Sequence, residues 1–159
     1  MEVTARLATV DDLEVLLALY RGLEEEMVGL EPIWRVTSGL PDPVDVALLA
    51  AVVDEAAVVT IGEIESQPFG FLIATDDPLL PQAHGERLGS IRYVFTVHEA
   101  REVGVGEAMR DAALSALRTR GITKFDAHVV PGHRLSKNFF EQAGFAARSI
   151  IMHHDDNQE

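Results

Sequence analysis

The period of apolar positions changes repeatedly along the chain, and each change marks an element. VTARLAT, residues 3–9, reads as a first strand. Thr9 and Asp12 then resemble a capping box that opens a helix over DDLEVLLALYRGLEEEM, where Leu13, Leu16, Leu17 and Tyr20 recur at helical spacing. A connection rich in glycine and proline follows, and Asp42 as N-cap with Pro43 at the first helical position predicts a second helix through VDVALLAAVVDE. AAVVTIGEI and PFGFLIATDD read as two strands joined by ESQ, and RLGSIRYVFTV as a fourth. A helix that begins after Gly106 ends at Gly121 as its C-cap, with Met109, Ala112, Ala113, Ala116 and Leu117 on one face. KFDAHVV then predicts a fifth strand, HRLSKNFFEQA a helix ended by Gly144, and FAARSIIMHHD a last strand.

The order β-α-α-β-β-β-α-β-α-β, with no repeat or long linker, predicts one mixed α/β domain over residues 1–159. That length buries about two-thirds of the surface of the unfolded chain, so no metal or disulfide staple is needed. The absence of cysteine excludes disulfides, thiolate metal sites and cysteine nucleophiles. HHDD at 153–156 reads as a polar end rather than a metal site, because successive strand residues point to opposite faces. The start lacks a basic stretch followed by an apolar one, and VALLAAVV stops at Asp54, so neither a secretory signal nor a membrane span is predicted and a cytoplasmic location is the expectation.

The charge of −13 is unevenly placed: residues 1–100 hold 5 Lys and Arg against 18 Asp and Glu, whereas residues 101–159 hold 8 of each. The acidic part repels polyanions, which argues against nucleic acid or an anionic membrane as partner. It suits a solvated surface, and it could attract a cationic amine.

The stretch VHEAREVGVGEAMRDAALSALRTRG places Gly104 and Gly106 between a strand and a helix. Such a turn exposes unpaired backbone N–H groups at the positive end of the helix dipole, a ready anion site, although a tight turn without a ligand fits GVG equally well. The Gly-Lys-Ser/Thr ending of a Walker loop is absent, as is the third glycine of a dinucleotide fingerprint.

REVGVG, residues 101–106, resembles the Arg/Gln-x-x-Gly-x-Gly/Ala acyl-CoA signature of the GNAT superfamily of N-acyltransferases, and HRLSKNFFEQAGF, residues 133–145, is similar to the family's NxxAxxFYxxxGF helix, one strand further on. The resemblance spans about residues 3–155. It implies an α+β fold with a mixed, mostly antiparallel twisted sheet of about six to seven strands and about four helices. Acetyl-CoA or another acyl-CoA is the implied cosubstrate, with no metal, and a small-molecule or peptide amine the implied acceptor; a homodimer is left open. Backbone N–H groups from Val103, Gly104, Val105, Gly106 and Glu107 would hold the pyrophosphate, Arg101 would close the loop, and the pantetheine arm would pair near Phe95, Thr96 and Val97.

The resemblance also exposes departures. The tyrosine that protonates the leaving thiolate falls at Phe140, the helix asparagine, which implies a contact with the pantetheine arm, at His133, the small alanine at Ser136, and the span from Val97 to Arg101 is about one residue short. Tyr93, His133 and Ser136 are the candidates to substitute in catalysis. Glu86, His84, His98 and His128 are candidate bases, each also readable as a surface residue. Glu24 to Glu26 read as a solvated helix face or as a border of the acceptor cleft, and Trp34 as a core cap or an acceptor-pocket wall. Two functions follow: an N-acetyltransferase, or a CoA-binding sensor or partner module with little catalysis, which Phe140 and His133 favour.

Overall fold

The computed structural model describes residues 1–157. Its five strands, β1 (Val3–Leu7), β2 (Ala57–Ile64), β3 (Gln67–Pro78), β4 (Arg87–Thr96) and β5 (Lys124–Ala127), form one sheet in sequence order. The first four pair antiparallel, and β5 pairs parallel to β4. Five helices flank it: α1 (Leu13–Leu30), α2 (Trp34–Thr37), α3 (Val44–Val53), α4 (Val105–Arg118) and α5 (Arg134–Gln142).

Alternation along the strands builds two cores. Val59, Ile61, Phe71 and Ile73 face α1 to α3, where Leu16, Tyr20, Leu23, Trp34 and Leu48 cover them. Val58, Leu72, Ala74 and Ile91 face the other way, onto Val105, Met109, Ala113 and Leu117 of α4. At the N-terminus of α1 the Asp12 carboxylate accepts the Thr9 backbone N–H at 2.8 Å and both terminal guanidinium nitrogens of Arg6 at 2.8 Å, tying β1 to the helix.

The mixed, mostly antiparallel architecture agrees with the sequence reading, but the sheet has five strands rather than six to seven. The strand expected over 145–155 is absent. Phe145 closes an aromatic group with Phe140, after which Ile150, Ile151 and Met152 lie exposed. Three consecutive apolar residues cannot share one face of a strand, and the segment holds to the sheet through Arg148 on Asp126. Pro43 rather than Asp42 sits at the N-cap of α3, and the short α2 was not foreseen. Trp34, 4% exposed, belongs to the core. No described helix is long and apolar enough to cross a membrane.

Candidate functional site

The sheet comes apart between β4 and β5. The two strands pair only from Leu88–Ile91 to Lys124–Ala127, and the last link is the His128 N–H to the Ile91 carbonyl at 3.0 Å. At this point β4 carries a bulge: Ile91 pairs with Ala74 and Tyr93 with Ile73, leaving Arg92 unmatched. The extra residue reverses the strand's alternation beyond it. Ile91 faces α4, whereas Tyr93 packs toward α1. Val97 donates its N–H to the Phe69 carbonyl of β3 at 2.9 Å, so alternation turns the peptide groups of Val94 and Thr96 to the side that β5 has left. Phe95 pairs with Phe71 on β3. The Thr96 carbonyl accepts Arg101 Nε at 3.0 Å.

This open edge runs into the turn before α4. Ala108 is the first residue of the helix to donate, to the Gly104 carbonyl at 3.0 Å, and among the described residues nothing takes up the N–H groups of Val103 to Glu107. With the helix dipole behind them, these amides form an anion cradle. The two glycines serve different needs. Gly104 has φ of 99°, which L side chains rarely adopt, with no atom within 4 Å of where a Cβ would stand; Gly106 lets the Phe139 ring approach, since a Cβ there would lie 3.2 Å from it.

Glu26 bridges the two sides of the opening. Its carboxylate accepts Arg101 at 2.8 Å from the β4–α4 turn and His133 Nε2 at 2.9 Å from the start of α5. His133 caps α5, with Nδ1 accepting the Ser136 backbone N–H at 3.0 Å, which leaves the ring proton on Nε2 to donate to Glu26. The His133 hydrogen bond, aided by Arg101 and opposed by burial, holds the Glu26 carboxyl down at about 2. The sequence reading missed this role. Glu24 and Glu26 turn inward and only Glu25 is exposed, correcting the solvated face. One turn before Glu26, Gly22 admits the Phe95 ring, a small residue on the helix flank that was the available signal.

The other candidates are placed as follows. Tyr93 donates its hydroxyl to the Ser38 carbonyl at 2.7 Å at the end of α2, and burial pushes it up to about 12. Phe140 is 3% exposed between Phe139 and Phe145. Glu86 is exposed and paired with Lys124 at 2.9 Å, His84 is exposed before β4, and His98 is exposed in the turn that follows β4. His128 stands at the point where the strands part. Among the described residues no group of metal-ligating side chains is gathered.

Comparison with known proteins adds three findings. The acetyltransferase (GNAT) family matches residues 18–145. The fold is similar to a ribosomal-protein-alanine N-acetyltransferase from Brucella melitensis biovar Abortus 2308 (TM-score 0.73, 18% identity, 97% of this chain and 100% of that one). It is also similar to a transcriptional regulator from Bacillus halodurans C-125 (TM-score 0.76, 25% identity, 96% and 100%), and to AAC(6')-Iy in complex with the bisubstrate analogue CoA-S-monomethyl-acetylneamine (TM-score 0.72, 16% identity, 99% and 100%). No curated protein sequence matches the chain.

Proposed function

The chain belongs to the acetyltransferase (GNAT) family, and from that membership we propose that residues 1–159 act as one N-acyltransferase domain, moving an acetyl group from acetyl-CoA to a primary amine by direct attack in a ternary complex. The observation that carries this reading is the parted β4 edge leading to the unpaired amides before α4. An arm with amide groups can add to that edge as a strand would, at Val94 and Thr96, while its pyrophosphate rests on the N–H groups of Val103 to Glu107. Arg101 and His133, both gripped by Glu26, hold the two walls.

Such an alignment places the thioester beside the bulge, where a free backbone N–H can receive the negative charge that develops on the carbonyl oxygen. Most of the acceleration then comes from holding amine and thioester together. Names of solved neighbours that act on amines support the acceptor class. Phe140 supplies no hydroxyl, so the departing thiolate takes its proton from water, and loss of a general acid costs about 10²–10⁴-fold in rate. That same residue favours the second reading, a CoA-binding module with little turnover.

Calorimetric titration of acetyl-CoA against the wild type and Gly104→Asp tests the site. Micromolar binding is expected for the wild type. The aspartate, which has room for its side chain but strains the backbone and opposes phosphate, should weaken binding at least 100-fold. Absence of wild-type binding overturns the proposal; binding without thiol release to any amine selects the second reading.

A further inference from the structure

The two faces of the sheet differ at the point of parting. On the α4 face, Val94, Ala127, Phe139 and Phe140 close the region with apolar side chains. Facing the other way are Asp77, Arg92 and Asp126, and from Asp126 a cavity of about 430 Å³ runs back along the paired start of β4 and β5, between Leu79 after β3, Leu88, Lys124 and Arg148. Leu79, Leu88 and the edge of Phe125 give it an apolar wall, Lys124, neutralised by Glu86 at 2.9 Å, stands at its rim, and Asp126 supplies a carboxylate whose side chain is 18% exposed. Phe125 and Ala127 belong to the α4 core, so alternation puts His128 on the cavity's face, two residues beyond Asp126 and at the vertex of the opening. Its imidazole is exposed, and among the described residues it makes no hydrogen bond.

We propose that His128 is the general base of this site and that the cavity beside it is where a cationic primary amine enters. The inference rests on the acyl-transfer reading above. An ammonium drawn toward Asp126 gives one proton to the imidazole; the neutral nitrogen attacks the thioester carbonyl, the C–N bond forms, the nitrogen gives its second surplus proton to water, the C–S bond breaks, and the thiolate leaves and takes a proton from water. His128 returns its proton to solvent. Partial desolvation and the cation of Arg92 lower the affinity of His128 for a proton, Asp126 and Asp77 raise it, and Arg148 lowers it, with the net direction downward. The ring is therefore neutral near pH 7 and able to accept. Arg148, held on the otherwise exposed terminal segment, occupies the anion that the amine would use and can be displaced.

Thiol release from acetyl-CoA, followed against pH with n-butylamine, ethanolamine, L-lysine and putrescine, tests this in the wild type, His128→Gln, Asp126→Asn and Arg148→Gln. The wild-type kcat/KM should fall on the acid side. His128→Gln should lose that limb and about 10²–10³-fold in kcat/KM with acetyl-CoA affinity unchanged. Arg148→Gln, which removes a cation, should move the limb to higher pH, and Asp126→Asn, which removes an anion, to lower pH. A His128→Gln enzyme with the wild-type limb and kcat/KM overturns the role of His128 alone, as does loss of acetyl-CoA binding in that variant, which would mark a structural residue. A wild type that binds acetyl-CoA but releases no thiol with any of the four amines fails at the acyl-transfer reading itself, and the role of His128 falls with it.

Discussion

The β1–β4 part of the sheet and the β5–α5 segment obey different constructions. In the first, β3 and β4 pair from Gly70–Thr96 to Pro78–Arg87, and both faces are covered by helices whose apolar stripes fit them. In the second, β5 is four residues long, pairs along part of one edge, and is followed by a helix whose buried residue is Phe140. This contrast explains the position of the site. A well-paired sheet has no spare donors, so a ligand that binds like a strand needs a place where pairing stops. The parting leaves that edge, and Glu26 supplies from α1 a polar link between its walls.

The largest effect is expected in the well-paired part. Phe71→Ala removes a ring of zero exposure between two elements of the α1-side core and should cost about 3–5 kcal/mol, read as a lower midpoint in denaturant for the whole domain. By contrast, Phe140→Ala should free α5 locally, seen as loss of amide protection over 134–142 before the sheet exchanges. If both variants unfolded the protein globally and equally, the distinction between the two parts would be wrong.

Glu26→Gln should have a middling effect, about 1–2 kcal/mol, because two hydrogen bonds to a charged acceptor are weakened. Its sign with pH follows from the depressed carboxyl. The native group sits at about 2 against an ordinary 4.5, so its stabilisation is complete above pH 4.5 and fades as pH falls toward 2. Asp12, held at about 2 by Arg6 against an ordinary 3.8, adds stabilisation that fades between pH 3.8 and 2. Acid unfolding of Glu26→Gln should therefore be shallower between pH 4.5 and 2 than that of the wild type. The smallest effect is expected for Lys124→Ala at the edge of β5. Its partner Glu86 and the lysine itself are 53% and 55% exposed, and the change in stability should stay within about 0.5 kcal/mol.

Local pattern was enough for several parts of this protein. The long stripes of α1 and α4, the β2–β3 hairpin and the glycine turn before α4 are each specified by neighbours in sequence, through side-chain period, capping and backbone freedom at Gly104. The chemistry around the turn was legible for the same reason: its donors are backbone groups whose exposure follows from helix geometry. Other features depend on partners far along the chain. The Arg92 bulge exists only as a mismatch between β3 and β4, and it decides that Val94 and Thr96 face the opening. Glu26 acquires its role from Arg101 and His133, 75 and 107 residues away. FAARSIIMHHD has the composition of a strand, but a strand forms only where an edge and a single apolar face are offered together, and tertiary packing offered neither. Thus the sequence by itself determined the elements and the anion-binding turn, which are local; the opening beside that turn, the grip across it and the place of His128 at its vertex were decided by the tertiary structure, because each is a relation between strands rather than a property of one.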